Sequence, residues 1–163
     1  MDTQPGRQRC AADADEVRGI CVRHDRRADA LIEILIDVQH ARGCVADADV
    51  GVIAEALNLS LAEVHGVRSF YADFSTTPKG RCVVKLCRAE ACQSVGSDAL
   101  AEQLRARLGV EFGQTSRDGM HTLEAVYCLG NCALGPAAMV NGRLIGRADS
   151  ERIDAMITEV GND

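Results

Sequence analysis

Between Asp29 and Gly43 the apolar residues fall on one face of a helix. Leu31, Ile34, Leu35 and Val38 follow the i, i+3, i+4, i+7 spacing, and Gly43 supplies a stop. Val50, Ile53, Ala54 and Leu57 repeat the pattern in a second helix ending near Asn58. Ser60 followed by Glu63 is a capping-box signature, and it predicts a third, short helix through about Val67. Phe70, Tyr71 and Phe74 come next, and they are expected to complete the core of a small helical bundle spanning residues 28–78. The first 27 residues are polar and lack clear periodicity, with a charged run at Arg23 to Arg27. They predict a loosely ordered lead-in with a solvated charge face.

The turn at Pro78 to Gly80 marks a boundary, and beyond it the period changes. Cys82, Val84 and Leu86 alternate on one face of a strand, so Cys82 is expected to face a core. Leu100, Leu104 and Leu108 make a helix that ends at Gly109. A second strand is expected from Met120 to Tyr127. Ala137 to Val140 and Arg143 to Ile145 flank Asn141-Gly142, the strongest short hairpin signal. Ile153, Met156, Ile157 and Val160 then form a closing helix after Ser150. Strand, helix, strand, hairpin and helix together predict an α/β sandwich with a mixed sheet over residues 79–163. In its order this resembles the thioredoxin-like arrangement.

Composition narrows the function. With 47% hydrophobic and 26% charged residues the chain can bury a core and is not a disordered polymer. It has no Trp, two Tyr and three Phe, with a net charge of −6, which excludes a stacking or phosphate-binding nucleic-acid surface. The most apolar stretch, Leu31 to Val38, is interrupted by Glu33 and Asp37 and is too short to span a bilayer. The N-terminus carries acidic residues and no apolar segment, which argues against secretory and mitochondrial leaders. A cytoplasmic location is therefore expected, without direct membrane contact. In such a reducing compartment the eight cysteines point to metal or redox chemistry more than to disulfides.

Four of those cysteines stand in two close pairs. Cys87 and Cys92 lie in CRAEAC, and Cys128 and Cys132 in CLGNC. Each pair follows a predicted strand, so two loops can meet at one end of a sheet. Structural zinc knuckles most often place two residues between cysteines, although two to four occur. A gap of four resembles the first pair of plant-type 2Fe-2S ferredoxins. Spacing thus favours an iron–sulfur cluster and leaves open a zinc-stabilised interaction module. A dithiol redox protein fits less well, because that chemistry uses CxxC at a helix N-terminus and this chain has none. Small residues (Ala89, Ala91, Gly130, Ala133, Gly135 and Pro136) let backbone amides approach the sulfurs.

The remaining candidates carry simpler readings. Cys10, Cys21, Cys44 and Cys82 lack ligand spacing and are expected to be buried small residues or incidental thiols. His24, His40, His65 and His121 are isolated, and no pair sits beside the cysteines as a Rieske centre requires. Asp47, Asp49 and Glu55 are expected on the solvated face of the second helix, and Arg143 and Arg147 in solvent. The chain carries no P-loop, GxSxG elbow, HExxH helix or dinucleotide glycine fingerprint.

The segments CRAEAC and CLGNCALGPAAMVNG resemble the 24-kDa-type subunits of NADH dehydrogenases, a thioredoxin-like 2Fe-2S ferredoxin family. LIEILIDVQHARG and VGVIAEALNLSLAEVHGVRSFYADF are similar to that family's helical bundle, so the likeness runs over about residues 29 to 160. The resemblance implies that Cys87, Cys92, Cys128 and Cys132 ligate one 2Fe-2S cluster. It also implies an electron-transfer role beside a partner subunit that binds FMN and NAD, with the helical bundle helping to dock. No catalytic residue or substrate site is implied on this chain. Arg88 and Glu90 depart from the small residues usual in the first loop, and they alter the charge near the ligands. Family members occur in complex I, in NAD-reducing hydrogenases and in NAD-dependent formate dehydrogenases. The CRAEAC loop looks most like the gamma subunit of cytoplasmic molybdenum-containing formate dehydrogenase, which implies a larger molybdenum catalytic subunit as a further partner.

Overall fold

The structure, a computed structural model, describes residues 13–161. The chain divides between Pro78 and Lys79 into two compact units.

The first unit is helical. Helices α1 (Ala14–Arg23), α2 (Leu31–Arg42), α3 (Asp47–Leu57) and α4 (Leu61–Phe70) share one core, which contains Ile20, Ile34, Leu35, Val38, Ile53 and Val64. Gly43 and Asn58 close α2 and α3 in left-handed conformation, as their positions in the sequence suggest. Ser60 and Glu63 form the reciprocal capping box: the Glu63 amide donates to Ser60 Oγ (3.2 Å) and the Ser60 amide to Glu63 Oε2 (2.8 Å).

Several expectations for this unit are corrected. Helix α1 occupies part of the segment expected to be loosely ordered; the residues before Asp13 lie outside the described ones. Its apolar stripe is only Val17, Ile20 and Cys21, too short to stand out among charges, yet all three are buried. Asp13 caps it by accepting from the Asp15 and Glu16 amides. The aromatic rings do not complete the core. Phe70 is 80% exposed, Tyr71 is also exposed, and only Phe74 packs against the buried cluster. At about 100° per residue, Phe70 lies about 120° round the helix from the inward Val64.

Asp49 is buried rather than solvated. It pairs with Arg42 at 2.5 Å and accepts from the Ala46 amide at 2.8 Å, as the cap of its own helix. Asp47 and Glu55 are exposed as expected, but Asp47 pairs with the buried Arg68 (2.8 Å), which also donates to the Val45 carbonyl (3.2 Å). Cys21 is a buried free thiol, whereas Cys44 is buried and disulfide-bonded; Cys10 lies outside the described residues.

The second unit is a five-stranded mixed sheet in the order β2-β3-β1-β4-β5. Strands β1 (Cys82–Cys87) and β3 (His121–Val126) run parallel at its centre, joined through helix α6 (Ser97–Leu108). Strand β4 (Ala138–Val140) pairs antiparallel with β1, and β5 (Arg143–Ile145) with β4. The short β2 (Gln114–Thr115), which the pattern did not reveal, pairs antiparallel with β3. Val84, Leu86, Leu123 and Val140 project into one core with Leu100 and Leu104 of α6 and Ile153 of α7 (Ser150–Gly161). Cys82 belongs to this core, as its alternation predicts. Asn141 and Gly142 both take positive φ, which a type I′ hairpin requires. Among the described residues no helix is long and apolar enough to cross a membrane.

Candidate metal centre

The parallel register brings the two cysteine loops to one end of the sheet. Cys87 is the last residue of β1 and lies opposite Val126, the last residue of β3. The Arg88 amide donates to the Val126 carbonyl (2.7 Å), so the strands part together. Cys128 follows two residues later on the neighbouring strand.

The first loop turns straight into α5 (Glu90–Gln93), a single helical turn that carries Cys92. Cys87 and Cys92 are both buried, at about 1% exposure, and they pack with Ala137, Ala89, Val126 and Leu129. The Cys87 amide donates to the Ala137 carbonyl (2.9 Å), and its own carbonyl accepts from Ser97 Oγ (2.5 Å). Gln93 Nε2 donates to the Arg88 carbonyl (3.0 Å), closing the loop. The charge of Arg88 is matched within this unit. Its guanidinium pairs with Asp98 (2.9 Å) and lies over the Phe112 ring at 5.2 Å.

The second loop is open to solvent, with Cys128 and Cys132 exposed. Their sulfurs stand 3.6 Å apart. Cys128 has φ 146, a strained angle for a residue with a side chain, and Gly130 at φ 74 turns the chain so that its amide donates to the Cys128 sulfur (3.3 Å). A one-turn 3-10 segment, Cys132–Leu134, then leads out.

The sulfurs respond to one another within and across the loops. The Gly130 amide lowers the Cys128 pKa, helped by a hydrogen bond from Cys132. Cys132 is raised, first by that shared hydrogen bond and next by the charge of Cys128, with a smaller contribution from Cys87. Burial raises Cys92, followed by its hydrogen bond with Cys87, and the charge of Cys132 reaches it too. The structure therefore brings together all four cysteines singled out in the sequence. None of the histidines joins them: His24 pairs with Asp37 (2.9 Å) in the helical unit, and His121 starts β3 at the far end of the strand.

Residues 17–161 match the family described as thioredoxin-like 2Fe-2S ferredoxin. The chain belongs to that family. It is 38% identical to the NADH-quinone oxidoreductase E subunit of Pseudomonas aeruginosa over 117 residues, which cover 72% of this chain and 70% of that one. It is 32% identical to a second-copy NADH-quinone oxidoreductase E subunit of Rhizobium meliloti over 143 residues, 88% of this chain and 85% of that one. Among solved structures, an NAD+-reducing NiFe-hydrogenase in the H2-reduced state matches with a TM-score of 0.68 and 28% identity. That match covers 85% of this chain and 23% of the hydrogenase chain, so this chain spans about a quarter of the protein it resembles.

A thioredoxin-like 2Fe-2S ferredoxin carries a 2Fe-2S cluster, and the donor set here suits one. Four soft sulfur donors meet in two pairs, as iron–sulfur chemistry asks. Two thiolates about 2.3 Å from one tetrahedral metal stand about 3.8 Å apart, close to the Cys128–Cys132 separation of 3.6 Å. Sequence reasoning missed Ser97, whose hydroxyl holds the Cys87 carbonyl. A serine at a helix start gives no sign of which distant carbonyl it will meet.

Proposed function

We propose that this chain is the electron-transfer subunit of a soluble, cytoplasmic NAD-linked oxidoreductase, and that Cys87, Cys92, Cys128 and Cys132 ligate its one 2Fe-2S cluster. The observation that carries the proposal is the convergence of four sulfurs from two loops at the shared end of β1 and β3. A cluster held there stores a single electron.

The chain's own residues set the conditions for that storage. Cys87 and Cys92 sit in an apolar pocket that excludes water from one side of the site. Added negative charge in such a place is costly unless dipoles offset it, and the Gly130 amide points such a dipole at Cys128. Cys128 and Cys132 form the accessible side, where a redox partner can approach. The partner in this proposal is an FMN- and NAD-binding iron–sulfur subunit that performs the two-electron chemistry. The unit beyond Pro78 carries the cluster, and the helical unit before it serves docking.

For the parent complex, the likeness of the CRAEAC loop supports a molybdenum-containing formate dehydrogenase, with a larger catalytic subunit as second partner. The matches to NADH-quinone oxidoreductase subunits favour complex I as an alternative parent, and the hydrogenase match favours an NAD-reducing hydrogenase. The test has two parts. Iron and acid-labile sulfide in equal amounts, with a one-electron anaerobic titration, are expected of the purified chain; a colourless, redox-silent protein holding zinc would overturn the assignment. Affinity purification from native cells should then bring down a molybdenum subunit. Nickel–iron or quinone-linked membrane subunits in its place would reassign the parent.

A further inference from the structure

Two glycines beside the second cysteine loop are glycine for a reason other than backbone freedom. Gly135 has φ −65 and ψ 158, and Gly146 is absent from the residues with positive φ, so both have angles open to any residue. What they lack is room. A Cβ on Gly135 would stand 2.8 Å from Val95 Cγ2 and 3.6 Å from both the Cys92 sulfur and the Cys132 carbonyl. A Cβ on Gly146 would stand 2.7 Å from Asn131 Nδ2, 2.8 Å from Leu134 Cβ and 3.2 Å from the Leu134 carbonyl.

These contacts grip the second loop from two sides. Gly135 presses it against the first loop, directly over Cys92 and Val95. Gly146 belongs to the connection between β5 and α7 and lies against the residues that flank Cys132. Beside it the Arg147 amide donates to the Leu134 carbonyl (2.5 Å) and the Ala148 amide to the Pro136 carbonyl (2.8 Å). The second loop is exposed and contributes little to the main apolar core, so close backbone packing is what locates its sulfurs.

We infer that Gly135 and Gly146 are positioning residues, seating the second loop at the height where Cys128 and Cys132 can share a cluster with Cys87 and Cys92. The inference rests on the ligand assignment proposed above. Metal–sulfur bonds have fixed lengths, so a loop lifted from its seat cannot keep all four. At position 146 the obstructing Leu134 Cβ is tied to backbone and cannot rotate away, so the loop itself must move. At position 135 the obstruction is a γ-methyl of Val95, a β-branched side chain stiff at χ1.

The test uses the full chain as wild type, G135A, G146A, V95A and the double variant V95A/G135A, each loaded anaerobically with iron and sulfide. G135A and G146A should keep the wild-type far-UV circular dichroism, release iron to a chelator about 10-fold faster and show an altered EPR line shape. V95A alone should behave as wild type. In the double variant, where the obstructing methyl is gone, release rate and line shape should return to wild type. Wild-type release and line shape in both glycine variants would overturn the positioning role while leaving the ligand assignment intact. Failure of V95A to rescue G135A, or loss of folded structure in the glycine variants, would overturn it in favour of a general structural role. A wild-type chain that takes up no iron would bring down the ligand assignment, and the inference with it.

Discussion

The Gly130 amide donates to the Cys128 sulfur across 3.3 Å, and this bond makes the four thiols chemically unequal. It lowers the Cys128 pKa, whereas Cys132 is raised by the proton it shares with Cys128, and Cys92 is raised by burial. A lowered pKa places the reactive thiolate at lower pH. In the metal-free chain, iodoacetamide should therefore modify Cys128 first as pH rises, with Cys132 following and the buried Cys92 last. Peptide mass spectrometry across a pH series reads the order directly, and modification of Cys92 alongside Cys128 would contradict it.

Serine at any of the four positions should abolish the visible spectrum of the loaded chain, but the variants should separate by stability. At Cys87 or Cys92 the new hydroxyl is buried in an apolar pocket, at a cost of about 1–3 kcal/mol where it finds no partner. At the exposed Cys128 or Cys132 the hydroxyl meets water, and the metal-free stability should stay near wild type. Urea unfolding of the four metal-free variants, set beside their iron content, distinguishes the two groups.

Ser97 is fully buried and its hydroxyl holds the Cys87 carbonyl at 2.5 Å. The S97A variant should lose about 1–3 kcal/mol of stability, because the carbonyl is left without that donor. Cys87 is tethered through this bond to the start of α6, so slower cluster loading should accompany the loss. Denaturant midpoints and the rate at which the visible band develops measure both effects.

The Arg42–Asp49 pair is almost wholly withdrawn from solvent, with side chains 4% and 2% exposed. Removing one charge strands the other, so D49A should destabilise the helical unit by about 3–5 kcal/mol. The second unit has its own core, and iron content should be unchanged. Thermal melts followed by circular dichroism, with iron assays on the same samples, test both halves of the prediction.

The structure also shows why some features were legible in the chain and others were not. The capping box at Ser60 and Glu63, the left-handed closures at Gly43, Asn58 and Gly109, and the hairpin at Asn141-Gly142 all depend on residues a few positions apart. Their physics is local, so their signals are local. Asn141 also does something its turn propensity does not announce. Its side chain accepts from the Val83 amide (2.7 Å) and donates to the Arg81 carbonyl (3.0 Å), pinning the hairpin to the start of β1. Asp49 misled for the same reason. Acidic residues in a helix's first turn are normally solvated, and only the distant approach of Arg42 allows this one to be buried.

Read by itself, the amino-acid order determined where helices and strands form, where the chain changes from one period to another, and that two cysteine pairs follow strands. Each of these needs only near neighbours. Only the tertiary structure decided that one pair is buried and the other exposed, that Arg88 turns to Asp98 and Phe112, and that two glycines leave no room for a methyl group. Such properties arise where segments far apart in the chain press together, and no short-range pattern encodes the distance between them.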